Sequence, residues 1–118
     1  MQTVAGTYIG VPYRYAGMSR KGVDCSGLVC LIYKEVSRAK LPHSSRSLRR
    51  FGKKVGVNKA RCGDLVFFRQ GIFGRVSHVG IFLNGTRFIH ASTKRGVIYS
   101  DLNEEYYHKR FVEIRRIF

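Results

Sequence analysis

The hydrophobic period changes once along this chain, and that change bounds the folds open to it. After Asp24-Cys25-Ser26-Gly27, the apolar residues Leu28, Val29, Ile32 and Val36 recur at helical spacing. From Leu65 onward the apolar runs are short, rich in β-branched and aromatic residues, and broken by Gly and Asn; they cover 65–68, 77–83, 87–91, 97–100 and 111–118. Helices first and strands later predict an α+β fold, with N-terminal helices packed on a small antiparallel sheet. At 118 residues the chain has room for one core, and a single domain is expected over 1–118.

Asp24 is placed to cap a helix over 25–37, with Cys25, Leu28, Val29, Ile32 and Val36 along its buried face. Residues 1–10 predict a short helix or lead-in that ends near Gly10 and Pro12, and 11–17 an irregular loop. The basic stretch 38–58 predicts a loop with a short helix near 45–51, and 70–75 a turn. Asn84-Gly85 signals a hairpin, and its length decides where two histidines point. A two-residue loop of Asn84-Gly85 pairs Leu83 with Thr86 and sets His78 and His90 on opposite faces. An odd-length connection, most simply three residues with a left-handed Gly85 and a bulge, puts both on one face, directly opposite or one step diagonal. Gly80 and Phe82 then share the His78 face, and Gly80 leaves room for an imidazole.

The net charge of +15 arises from 22 Lys and Arg against 7 acids, spread along the whole length. Such a field attracts nucleic acid, anionic lipid or acidic wall polymer without naming one, and a solvated basic surface explains it equally well. No segment approaches a membrane span, and 1–10 lacks the basic-then-apolar shape of a signal peptide. The chain is expected to be a natively short protein or an excised domain. Three cysteines without a CxxC pair argue against a disulfide framework or a structural zinc site, and no metal or other cofactor is expected. Cys30 falls inside the expected helix and Cys62 in a turn before Gly63-Asp64. His43 and His108 are expected to be ordinary surface residues.

Cys25 stands where reactivity makes sense. A helix start favours a thiolate, and a neighbouring imidazole accepts its proton. An unperturbed thiol is mostly protonated at neutral pH, so a base is needed. Taken alone, Cys25 reads equally as a buried inert thiol, His78 as a satisfied strand histidine, and His90 as a ring packed on Phe88.

Tyr13-Arg14-Tyr15-Ala16-Gly17, Asp24-Cys25-Ser26-Gly27-Leu28, 63–68 (GDLVFF), Ser77-His78-Val79-Gly80-Ile81 and Phe88-Ile89-His90-Ala91-Ser92 together resemble the NlpC-type cell-wall peptidases, from about Thr7 to Phe118. These are papain-like cysteine hydrolases of bacterial peptidoglycan. Ala16 stands where the family often has glycine, and Cys62 where proline commonly precedes Gly-Asp. The resemblance implies Cys25 as nucleophile, His78 as base and His90 as the residue that orients it. The Cys25 N–H and the Tyr13 hydroxyl are the expected oxyanion donors. Asp24 is expected either to cap the helix or to bind a substrate ammonium, Ser26 and Ser77 to line the site, and Arg75 to meet a substrate carboxylate.

The implied activity is cleavage of peptide stems beside D-configured residues, such as the γ-D-glutamyl bond to a diamino acid. Its place would be the cell envelope, with any targeting segment absent from this chain. Two alternatives stay open. One is an amidase, transglutaminase or acyltransferase using the same thioester. The other is a non-enzymatic basic module for anionic envelope polymers or, less in keeping with the Cys and His motifs, nucleic acid.

Overall fold

The computed structural model describes residues 1–71 and 74–117. In chain order it places α1 (Gln2–Gly6), a two-stranded ribbon β1 (Met18–Ser19) and β2 (Gly22–Val23), α2 (Cys25–Ser37) and α3 (Ser45–Leu48). Next come β3 (Lys53–Val55), a 3-10 turn (Val57–Lys59), β4 (Leu65–Arg69), β5 (Val76–Asn84), β6 (Arg87–Ser92) and β7 (Gly96–Asp101). A short α4 (Glu105–Arg110) leads into β8 (Phe111–Arg116). Strands β3 to β8 form one antiparallel sheet in the order β3-β8-β4-β5-β6-β7. The expected α+β class is what forms. Phe118 and the expected turn residues Ile72 and Phe73 lie outside the described residues.

The sheet is buried on both faces, which explains why β4 reads as a continuous apolar run rather than an alternating one. Leu65 and Phe67 turn toward α2, where they pack with Leu28, Val29, Ile32, Val79, Ile81 and Ile89. Val66 and Phe68 turn the other way and meet Phe82, Phe88, Leu102 and Ile114, with Tyr107 and Phe111 at the margin. The two histidines sit on this second face.

Their common orientation comes from an irregularity in the β5–β6 hairpin, and here the expected loop needs correction. The turn is two residues long, Gly85-Thr86, flanked by the pair Asn84↔Arg87. Gly85 takes the positive φ, +57°, that a two-residue hairpin turn demands at its first position. That turn alone would put the histidines on opposite faces. A register shift between Phe82 and Asn84 leaves Leu83 as an extra residue and restores the parity, giving Phe82↔Phe88 and Ile81↔Ile89. Continuing the same register sets Gly80 across from His90, with His78 one step diagonal. Both the bulge and the left-handed Gly85 are as expected; the three-residue loop is not.

Gly80 makes this diagonal possible. A Cβ there would stand 2.8 Å from the Ile89 carbonyl oxygen and 3.2 Å from the His90 Cβ.

Candidate active site

Cys25 is the first residue of α2, and Asp24 before it is the N-cap, its Oδ1 accepting the Gly27 N–H at 2.7 Å. The first turn of α2 is pressed against the loop that precedes β1. A Cβ on Gly27 would come within 2.1 Å of the Gly17 carbonyl oxygen, so no other residue fits this position without moving the helix start. Asp24 Oδ1 also receives the Ser26 hydroxyl at 3.4 Å and lies 2.7 Å from His43 Nε2. The cap is therefore built from both sides.

The Cys25 thiol lies at the entrance of β5, where it donates to the Ser77 carbonyl at 3.7 Å. Strand β5 is irregular at that point: Phe68 pairs with His78 but Arg69 with Val76, leaving Ser77 as the bulged residue. The helix layer and the far face of the sheet meet around this strand end. Cys25 and Tyr13 from one side, and His78 and His90 from the other, line one cavity of about 330 Å³. Ser77, Phe68 and Tyr107 line it as well.

From His78 a hydrogen-bond relay steps sideways across three strands. His78 Nε2 lies 2.8 Å from His90 Nδ1, and His90 Nε2 lies 2.8 Å from the Ser100 hydroxyl. Each neutral ring carries one N–H. If His90 Nε2–H donates to Ser100, His90 Nδ1 must accept from His78 Nε2–H, which leaves His78 Nδ1 with its lone pair free to take a proton. His90 is 1% exposed and packs tilted against Phe88 and edge to face against Tyr107, with ring centroids 4.8 and 5.1 Å away, so its plane is held by packing as well as by hydrogen bonds.

Burial sets the charge state of the pair. It lowers His78 from the ordinary 6.5 to about 4, and His90 to about 3 with a further push from the neighbouring His78 charge. Burial also pushes the Cys25 thiol above its ordinary 9.0, the Asp24 carboxylate adding to the rise and N–H groups of Val79, Ser26 and Cys25 offsetting it. The resting groups are thus a neutral thiol and a neutral imidazole. Burial, with Cys25 and Asp24 nearby, raises the Tyr13 phenol and keeps it a hydrogen-bond donor.

The cleft accordingly gathers Cys25, His78, His90, Tyr13 and Ser77. Three further expected site residues lie elsewhere. Ser26 is buried on Asp24, Asp24 is taken up by the helix start and His43, and Arg75 lines a neighbouring basic cavity. His43 lies at the surface, as expected, but it also pairs with the cap beside Cys25, which nothing in its loop sequence signals. Ser100 was also missed. Its one signal is a buried serine in an apolar strand, at the parity that faces His90 through the pairs Phe88↔Ser100 and His90↔Ile98. Among the described residues, no cluster of His, Cys, Asp and Glu is arranged to hold a metal ion.

A thiol at a helix start that shares a cleft with two hydrogen-bonded strand histidines, on a frame of helices packed on an antiparallel sheet, has the layout of a papain-like α+β domain. The chain belongs to the NlpC/P60 family, whose model matches residues 10–116. It is similar to murein DD-endopeptidase MepS/murein LD-carboxypeptidase of Escherichia coli K12, with 46% identity over 108 residues, covering 92% of this chain and 56% of that protein. It is also 37% identical over 113 residues to the gamma-DL-glutamyl hydrolase of Bacillus subtilis, covering 95% of this chain and 27% of that protein. The chain thus spans about half the length, or less, of these curated relatives. An NlpC/P60 family protein from Bacillus cereus superposes with a TM-score of 0.88 at 32% identity, covering 96% of this chain and 37% of that one. No helix among the described residues is long and apolar enough to cross a membrane.

Proposed function

We propose that this chain is a cysteine endopeptidase acting on the peptide stems of bacterial peptidoglycan in the cell envelope. The observation that carries the reading is the shared cleft, in which Cys25 opens α2 opposite a His78 whose Nε2 is tied to His90. His78 Nδ1 takes the thiol proton as Sγ attacks the amide carbonyl carbon. The developing oxyanion meets the Cys25 N–H at the helix start and the Tyr13 hydroxyl. His78 then gives its proton to the leaving amine, and a thioester remains. Water, deprotonated by His78, attacks the thioester and releases the acid and the free thiol. His90 positions His78 and does not itself exchange the proton. No cofactor is needed, since the thiol supplies the nucleophile.

The names of the murein and γ-DL-glutamyl relatives support a bond beside a D-configured residue, such as that from γ-D-glutamate to a diamino acid. The test is incubation with defined stem peptides followed by mass analysis. The expected result is a pair of fragments whose masses sum to the substrate plus one water. Products carrying an added amine or alcohol would instead mark an acyltransferase, and intact peptides throughout would remove the reading.

A further inference from the structure

A second cavity of about 790 Å³ opens beside the cleft, and six arginines and one lysine line it against a single carboxylate, Glu113. Glu113 is buried and already engaged, with Arg49 Nε 2.5 Å and Arg115 Nε 3.3 Å from its Oε1. Arg46, Arg50, Lys54 and Arg75 are exposed, and among the described residues none of them has an ion pair or a side-chain hydrogen bond. Like charges gathered in a concave wall repel one another and concentrate anions from solution.

The two cavities adjoin. Arg69 lines both, and the chain runs from Arg75 and Val76 in the wall of the basic cavity directly to Ser77 and His78 in the wall of the cleft. An extended ligand with its scissile amide at Cys25 would have the basic cavity within reach along this wall. At more than twice the volume of the cleft, this cavity accommodates a chain segment rather than one small anion.

We propose that the basic cavity is a substrate subsite that reads carboxylates flanking the scissile bond, with Arg46, Arg50 and Arg75 as its principal donors. This rests on the peptidase reading above. Peptide stems carry several carboxylates, and the planar guanidinium fork donates to each one in a paired geometry that a lysine cannot match. Continuity with the cleft favours carboxylates of the substrate itself over a separate phosphate polymer.

The test uses the Arg50→Gln/Arg75→Gln double variant, whose changes lie on the exposed surface. Cleavage is measured on a soluble stem peptide with free carboxylates and on the same peptide with its carboxylates amidated. The expected result is a fall of about ten-fold in kcat/KM, carried by KM, on the free peptide and none on the amidated one. Calorimetric binding of the free peptide is measured in parallel with Cys25→Ala alone and with Cys25→Ala carrying both arginine changes, where a weakening of about ten-fold is expected. Failure of the peptidase reading would show as no cleavage by the parent; failure of the subsite would show as unchanged binding. Equal losses on both peptides would overturn the proposal. So would weaker binding of long-chain polyphosphate with unchanged peptide binding and kinetics.

Discussion

His78 and His90 are joined edge to face, Nε2 to Nδ1 at 2.8 Å, across the diagonal of two antiparallel strands. In the proposed mechanism this contact fixes which ring nitrogen of His78 is left to serve Cys25, and it depends on the extra residue Leu83 in the hairpin that joins the strands. One bulge thus decides whether the two histidines share a face.

The relay makes a graded prediction. Replacing His90 with alanine frees His78 to rotate and change tautomer, and should lower kcat by about 100-fold or more. Ser100→Ala removes the anchor of His90, together with a hydrogen bond to Tyr107, and should lower kcat by about ten-fold with KM unchanged. Steady-state kinetics on a defined stem peptide checks both. A Ser100→Ala loss carried by KM would contradict the relay.

Acid should unfold the protein earlier than its basic surface alone suggests. In the unfolded chain both histidines bind a proton near pH 6.5, while in the fold burial keeps them neutral until far lower pH. Between those values the unfolded state binds more protons, so stability is whole above about pH 6.5 and falls as pH drops toward about 4. Urea denaturation at pH 7.5 and pH 5 measures the difference, and His90→Phe, which keeps a ring at that position, should flatten it. A midpoint independent of pH in the parent would contradict the burial of the pair.

The thiol should be a slow nucleophile at rest. Burial raises Cys25 above 9.0 and lowers His78, so both shifts disfavour a standing thiolate–imidazolium pair. Alkylation by iodoacetamide, followed at the peptide containing Cys25, should be slow at pH 7 and still rising beyond pH 9. A plateau below pH 7 would reveal a pre-formed ion pair instead.

Ala16 holds a φ of +58°, a left-handed conformation that a Cβ disfavours. A glycine at this position removes that strain, so Ala16→Gly should stabilise the protein by about 0.5–1 kcal/mol despite the greater freedom of glycine in the unfolded chain. Thermal denaturation reads the change, and a lower midpoint would count against it.

What could be read from residue order alone follows physical lines. Helix α2 was legible because Asp24 caps it and Leu28, Val29 and Ile32 repeat along its buried face, although Val36, expected on that face, is exposed in the last turn. Strands β4 to β8 were legible from short apolar runs between turn residues. Strand β3 was not, because Lys53-Lys54-Val55 lies at the sheet edge with both lysines exposed, and lysine is a poor strand former that edges tolerate. Helix α4 has no buried residue and no side-chain cap, so no periodic stripe announces it, although Tyr107 on it packs against His90. The expected functional cysteine and histidines could be named from their motifs. His43 and Ser100 could not, because the fold alone brings them to Asp24 and His90.

The central claim is that the Cys25 sulfur makes and breaks the acyl bond. Its most direct test is Cys25→Ala, which removes one sulfur atom from a helix start that the Asp24 cap and the Gly27–Gly17 approach continue to hold. Digestion of purified muropeptides by this variant and by the parent, analysed by mass, gives the answer once circular dichroism shows the variant folded. The account predicts fragments with the parent and none above background with the variant; a folded Cys25→Ala protein that cuts at the parent rate would contradict it.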